Sequence, residues 1–230
     1  SAVDARFVRY VSASYLHWTN DKPRTRYMGD ILDDAASLSM STNTFRPVWL
    51  SVKVPADAAA GVYRGVFSAV AAGGARLDFP VELEVLGRKL PGAKDWKFFL
   101  DLWQHPWAVS RFNNVKPFSA AHYKAMRPVY ETLASAGQKT LTTTILPEAW
   151  DHQCRDAYGT MIGRVKKADG TWKFDYTIFD EYVEFGRSCG LGPDIACYTM
   201  CPWGYVVRWN DESGMHHSVV AKPGTHEFKD

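Results

Sequence analysis

The sequence predicts a multidomain chain of β plus α/β class: a β-sandwich over residues 1–87, followed over residues 93–230 by an incomplete TIM-type (β/α) barrel. Three observations carry this. The first third alternates apolar and polar residues with period two between glycine-bearing turns. After a polar linker the pattern switches to strands alternating with helices. A closed (β/α) barrel takes about 250 residues, more than residues 93–230 supply.

In the first part, Arg6-Phe7-Val8-Arg9-Tyr10-Val11 is a short strand candidate. Val48, Leu50, Val52 and Val54 alternate with Trp49, Ser51 and Lys53, as a half-buried strand requires. Pro55-Ala56-Asp57 ends it, and Gly61 introduces a strand over Val62 to Ala71. Gly73-Gly74 marks a hairpin turn, after which Leu77, Phe79, Val81, Leu83 and Val85 alternate again. Pro80 lies inside that strand, which places it at an edge or a bulge. Period-two strands with glycine turns are the pattern of a sandwich. The linker is Gly87-Arg88-Lys89-Leu90-Pro91-Gly92, with two helix breakers.

In the second part, Lys97 to Trp103 reads as a strand with both faces buried, since it shows little alternation. Ser119 caps a helix carrying Tyr123, Met126, Tyr130 and Leu133, interrupted by Pro128 and stopped at Gly137. Thr140 to Leu146 is a second strand, and residues 161–175 form a hairpin turning at Asp169-Gly170. Thr177 opens a helix that ends at Gly190, and Asp194 to Cys201 is a third strand. The order β-α-β-α-β implies parallel strands with right-handed crossovers. Residues 202–230 are polar and carry no convincing helix, so the barrel stops before closure.

Composition narrows the function class. Hydrophobic residues make up 46%, enough for a packed core rather than disorder. The 27 basic and 25 acidic residues nearly cancel, which excludes the basic face of a nucleic-acid binder. No apolar run approaches the roughly 18 residues that cross a bilayer. No export leader precedes Ser1-Ala2-Val3-Asp4, so the expectation is a mature secreted, periplasmic or cell-surface form. Cys154, Cys189, Cys197 and Cys201 form no C-x-x-C pair and read as mostly free, buried thiols. No cofactor fingerprint, nucleophile elbow or metal-ligand spacing occurs.

Aromatic content is high, 14% with nine Trp, and position decides what it means. The three parallel strands run into His105-Pro106-Trp107, Pro147-Glu148-Ala149-Trp150 and Pro202-Trp203. Ligands of α/β folds bind beyond the carboxyl ends of the strands. Trp103, His105, Trp107, Trp150 and Trp203 are therefore the candidate ligand-facing residues. Each Trp either plugs the barrel mouth or offers a ring face to the apolar C–H face of a pyranose. His105 either binds a hydroxyl as acid or base or is a capped structural histidine. Asp101 either points into the barrel or is a buried, hydrogen-bonded acid, and Glu148 and Asp151 are weak candidates for hydroxyl contacts. His216-His217 reads as a solvated pair on a polar loop. Asp180-Glu181 is the adjacent acid pair, but with Thr177 as N-cap it belongs to a capping box at a helix start.

The chain resembles glycoside hydrolase family 123. The resembling stretches are Val48-Trp49-Leu50-Ser51-Val52-Lys53-Val54-Pro55, Gly61-Val62-Tyr63-Arg64-Gly65 and Leu102-Trp103-Gln104-His105-Pro106. Further on come Gly170-Thr171-Trp172-Lys173-Phe174-Asp175-Tyr176, Phe179-Asp180 and Tyr198-Thr199-Met200-Cys201-Pro202-Trp203. The resemblance implies a β-sandwich before a (β/α)8 barrel and a retaining β-N-acetylgalactosaminidase. It further implies that the substrate's own 2-acetamido oxygen is the nucleophile, outside the two-carboxylate scheme. An adjacent Asp-Glu pair orients that group and protonates the leaving oxygen. By order of motifs the pair is expected beyond Asp230, so Asp180-Glu181 does not inherit the roles and no catalytic residue is assigned here.

The expectation is thus the amino-terminal portion of a hexosaminidase-like glycosidase, with a glycan bearing terminal N-acetylhexosamine as partner. The competing reading is a non-catalytic carbohydrate-binding or cell-surface attachment module working through the sandwich and Trp49. An open barrel edge also predicts self-association.

Overall fold

The computed structural model describes residues 3–15 and 24–229. The chain divides into two compact units, Ser1–Leu90 and Pro91–Asp230.

In the first unit, β1 (Val3–Tyr15), β2 (Arg24–Asp33) and β3 (Val48–Val52) form an antiparallel sheet of order β2-β1-β3. β4 (Gly61–Val70) and β5 (Arg76–Val85) form a hairpin. Its turn is closed by Ala71 N–H donating to Ala75 O at 2.8 Å, and Gly74 takes a left-handed φ of +83°. Pro80 faces Val66 in a sheet of only two strands, so it occupies an edge strand. Side chains of both sheets, among them Val3, Leu50, Val66 and Val85, line an apolar groove of about 380 Å³. β2 escapes the alternation rule for a local reason. Arg9 pairs with Ile31 but Tyr10 with Gly29, leaving Asp30 as a bulge that shifts the register and breaks period two.

In the second unit, α1 (Pro106–Asn113) and α2 (Ala120–Ser135) precede β6 (Thr140–Thr144). The hairpin β7 (Gly163–Lys166) and β8 (Trp172–Asp175) leads into α3 (Thr177–Ser188) and β9 (Asp194–Tyr198). β10 (Val206–Asp211), β11 (His216–Val220) and the short α4 (His226–Lys229) follow. β6 and β9 pair in parallel, Thr140 opposite Asp194 through Thr144 opposite Tyr198. A second sheet has the order β11-β10-β7-β8, with β10 and β7 parallel and its other pairs antiparallel.

α2 starts on Ser119, whose Oγ accepts from His122 N–H at 3.3 Å. It runs through Pro128 and ends before Gly137, φ +86°. Its Met126 and Tyr130 pack with Tyr182, Val183 and Phe185 of α3 on Leu141 of β6. Tyr130 and Tyr182 share a buried hydroxyl–hydroxyl hydrogen bond of 2.7 Å. Gly186 lets α3 approach the sheet, because a Cβ there would lie 2.7 Å from Leu141 Cδ2. β6 is buried along its whole length, as an inner parallel strand is.

Several expectations are corrected. No closed barrel forms among the described residues: the parallel core is β6 and β9, extended by a single parallel bridge between Leu100 and Gln138. Lys97 to Trp103 is not a strand. It makes only that bridge, and side-chain amides take up its other pairing groups: Gln138 Oε1 accepts from Leu102 N–H at 2.7 Å, and Gln104 Nε2 donates to Leu102 O. Phe98 and Phe99 are exposed rather than buried. α1 replaces the expected strand-end loop, with Pro106 at its first turn, where the missing N–H costs no helical bond.

Residues 202–230 are also more ordered than their polarity suggests. Asp211 Oδ1 accepts from Ser213 N–H, Ser213 Oγ and Met215 N–H, which closes the β10–β11 turn. His216 and His217 lie on β11, not on a loop, and His217 Nε2 sits 2.8 Å from Asp211 Oδ2. The N-cap of α3 is Tyr176, and Asp175 Oδ1 accepts from Thr177 N–H and Oγ1, so Thr177 and Asp180 form no capping box. The four cysteines are free, but only Cys189 is buried.

Candidate functional site

Parallel pairing of β6 and β9 brings their carboxyl ends side by side. β6 continues into Pro147-Glu148-Ala149-Trp150, and β9 ends at Tyr198. Trp150, 8% exposed, lies edge-on to Tyr158 with ring centroids 4.6 Å apart and contacts Tyr198 at 4.8 Å. Trp103 stacks on Trp150 at 5.1 Å and lies 5.0 Å from Tyr198. It remains 54% exposed. Trp150 and Tyr198 thus form a floor, backed by Tyr158, and the Trp103 ring lies on it open to solvent.

His105 caps α1. Its Nδ1 accepts from Ala108 N–H at 3.4 Å, and its Nε2–H donates to Asp156 O at 3.0 Å. This pattern selects the neutral imidazole, and burial pushes its pKa down. Both nitrogens are spent, so of the two roles left open for His105 the geometry takes the capped one. Its ring stacks on Tyr158 at 3.6 Å and so braces the floor.

Trp107 lies in the first turn of α1 against Phe118 at 5.3 Å and Tyr158 at 5.9 Å. Gly159 is pressed on its indole, where a Cβ would come within 2.8 Å. Trp107 therefore packs the core behind the floor. Trp203 is 61% exposed and is tied to the site through its backbone, N–H to Ala149 O at 3.2 Å. Ring contacts thus join Trp103, His105, Trp107 and Trp150, while Trp203 stands at the rim.

Tyr158 and Tyr198 complete the cluster and were not singled out from the sequence. Tyr198 is the last residue of β9, which stops three residues short of the expected end at Cys201. Tyr158 sits in the loop before β7, where no local pattern marks it. Burial pushes the Tyr158 hydroxyl up to about 12.

Glu148 and Asp101 are acids in the segments that carry these rings. Glu148 Oε2 accepts from His152 N–H at 3.1 Å and lies 3.0 Å from His152 Nδ1. Its Oε1 is buried with no protein partner. Glu148, Asp151 and His152 all have left-handed φ, between 49° and 61°. Such clusters of strained residues mark ligand-facing loops more often than plain connections. Asp101 Oδ1 lies 3.5 Å from Gln138 Nε2. Asp180 and Glu181 are exposed on α3. Among the described residues no group of three His, Cys, Asp or Glu is arranged to hold a metal ion.

The same strand ends also border a cavity of about 690 Å³, lined by Leu146, Met200, Pro202, Trp172, Trp209 and Phe228 among others. Its wall is largely the face of the four-stranded sheet. Arg164 in that wall donates to Ile145 O and Ile162 O, and Lys166 Nζ lies 5.1 Å over the Trp172 ring. With these cations engaged by the protein, the cavity offers an apolar surface. The Trp103 floor, with acids at its margin, has the mixed character of a ligand site.

Residues 103–230 match the family model described as glycoside hydrolase 123, catalytic domain, and residues 1–70 match the glycoside hydrolase 123 N-terminal domain. A solved structure of a family 123 glycoside hydrolase from Clostridium perfringens, studied for glycolipid glycan hydrolysis, superposes with a TM-score of 0.90 at 25% identity. The likeness covers 98% of this chain and 40% of that one. No curated protein matches.

Proposed function

The chain belongs to glycoside hydrolase family 123, and from that premise we propose that it is the amino-terminal portion of a retaining, substrate-assisted β-N-acetylhexosaminidase of N-acetylgalactosamine type. The carrying observation is the exposed Trp103 ring on a packed floor of Trp150 and Tyr198, beyond the carboxyl ends of two parallel strands. An indole held flat and open suits the apolar face of a pyranose. Glycans of the glycolipid type named for the Clostridium relative are the proposed substrate class.

In the proposed reaction the substrate's acetamido carbonyl oxygen displaces the leaving group at the anomeric carbon, and water then opens the resulting ring. An Asp-Glu pair orients the acetamido group and protonates the leaving oxygen. Asp180-Glu181 is a poor candidate, being exposed on α3 rather than at a strand end. We therefore assign the pair to none of the described residues; the chain spans 40% of the length of the Clostridium relative. The catalytic-domain match over residues 103–230 disfavours the attachment-module reading. A secreted, periplasmic or cell-surface location and self-association through the open edge of the parallel strands belong to the same proposal.

The test is turnover of an aryl N-acetyl-β-galactosaminide. Residues 1–230 are expected to give none, and a polypeptide extended through the remaining barrel strands is expected to give turnover with retained anomeric configuration. Turnover by residues 1–230 that survives replacement of Asp180 and Glu181 would contradict the missing-dyad assignment.

A further inference from the structure

The segment that was expected to be a strand is held in place by two buried glutamines. Gln138, 2% exposed, accepts from Leu102 N–H at 2.7 Å and donates to Thr140 O at 2.6 Å. Gln104, also buried, accepts from Thr142 N–H at 2.7 Å and donates to Leu102 O. Lys139 N–H donates to Leu100 O at 3.0 Å. Backbone and side-chain bonds thus clamp residues 100–104 to β6 on both sides of Asp101. Buried amides with satisfied partners hold geometry firmly, because moving them strands polar groups away from water.

Asp101 and Trp103 are two residues apart on this clamped segment. The Trp103 ring is 5.0 Å from that of Tyr198. The Asp101 carboxylate acts electrostatically on the Tyr198 hydroxyl, raising its pKa in the same direction as burial, the larger cause. Asp101 itself is half-buried, and its recorded hydrogen bond is a long one, 3.5 Å from the amide of Gln138. A carboxylate has about four acceptor positions, so most of this one's capacity is available, two residues along the clamped segment from the open indole of Trp103.

We infer that Asp101 is the specificity-determining carboxylate of this platform, accepting hydrogen bonds from the hydroxyls of a pyranose laid on Trp103, with Gln138 positioning it. The inference rests on the sugar-platform reading and adds to it. Stacking is tolerant of stereochemistry, whereas a fixed acceptor rejects a sugar whose hydroxyl is missing.

The experiment is a fluorescence titration of the whole chain with N-acetylgalactosamine and with its 3-, 4- and 6-deoxy analogues. Wild type, Asp101→Asn and Trp103→Ala are compared. Loss of a charge-assisted hydrogen bond weakens binding on the order of 10- to 100-fold, so Asp101→Asn is expected to lose that factor for the parent sugar. For the deoxy analogue lacking the hydroxyl that Asp101 accepts, Asp101→Asn and wild type are expected to bind alike. An equal loss for every sugar and analogue would make Asp101 merely structural and overturn the inference. Unchanged binding by Asp101→Asn with binding lost in Trp103→Ala would overturn it too, while leaving the platform reading intact. Absence of any saturable signal in wild type would remove the platform reading and the inference with it.

Discussion

The indole of Trp103 stacks on that of Trp150, with centroids 5.1 Å apart and planes inclined by 29°. One ring is more than half exposed and the other is buried. In the proposed reading the pair divides two tasks that a single tryptophan performs badly, since a ring that offers its face to a ligand cannot also be enclosed by the core.

That division is measurable in stability. Trp150→Ala removes a buried ring packed on Trp103, Tyr158 and Tyr198, and should destabilise the second unit by about 3–5 kcal/mol. Trp103→Ala should cost within about 1 kcal/mol, as exposed substitutions do. Urea unfolding followed by near-ultraviolet circular dichroism distinguishes the two, and equal losses would contradict the assignment.

Two glycines are constrained by packing rather than by turn geometry. A Cβ at Gly186 would lie 2.7 Å and 2.9 Å from the two methyls of buried Leu141. One at Gly159 would lie 2.8 Å from three atoms of the rigid Trp107 indole. Gly186→Ala and Gly159→Ala should each destabilise by about 1–3 kcal/mol through overpacking. The midpoint of denaturant unfolding reports this, and an unchanged midpoint would mean that the helix or the loop moves away freely.

His122 supplies a pH dependence. Its buried ring accepts from Phe118 N–H at Nδ1, 2.8 Å, and donates from Nε2 to Pro106 O, 2.9 Å. Burial holds the folded pKa below its usual value of about 6.5. Acidification through that value therefore protonates the unfolded chain first. The stability that the neutral ring confers is complete above about pH 6.5 and falls as pH drops toward the folded pKa, by at most about 1.4 kcal/mol per pH unit for one imidazole. His105, shifted the same way by burial, adds to the slope. His122→Asn should flatten the curve between pH 7 and about 5. A slope unchanged by the substitution would assign the effect elsewhere.

Asp175 and Asp180 should separate local capping from chemistry. Asp175 Oδ1 accepts from Thr177 N–H at 3.0 Å and Thr177 Oγ1 at 2.6 Å at the start of α3. Asp175→Ala removes both bonds to Thr177 and should cost about 1 kcal/mol, read from the midpoint of urea unfolding. The double replacement Asp180→Ala with Glu181→Ala should leave sugar affinity unchanged, checked in the same fluorescence titration.

Much of the fold is legible in the sequence where local chemistry and tertiary environment agree. β3 and β5 alternate cleanly, β4 is rich in strand formers, and Pro55, Gly61 and Gly74 bound them, so composition, period and punctuation suffice. α2 and α3 are legible through their apolar spacing and the glycines that end them. β2 is hidden because the bulge at Asp30 breaks the period. Lys97 to Trp103 misleads in the opposite sense: an apolar run reads as a buried strand, but with only the Leu100–Gln138 bridge its pairing groups turn to Gln104 and Gln138. β10 and β11 do contain strand formers, Val206, Val207, Trp209, Val219 and Val220, but they are short, and the Asx turn at Asp211 that joins them looks like a loop.

The aromatic cluster was legible by topology rather than by motif. Trp103 and Trp150 were singled out because ligands of α/β folds bind at strand ends, and that reasoning needs only the order of elements. It also selected Trp107, which α1 turns into the core, because an eight-residue helix opening on Pro106 leaves little periodic signal. Tyr158 was missed because its place against Trp150 and His105 is purely tertiary.

Titration of intrinsic fluorescence with N-acetylgalactosamine, comparing wild type with Trp103→Ala and Trp49→Ala, tests the central claim most directly. Saturable quenching that disappears in Trp103→Ala and persists in Trp49→Ala is the predicted result. Quenching that survives Trp103→Ala but is lost in Trp49→Ala would place sugar binding on the first unit and contradict a platform at the ends of β6 and β9.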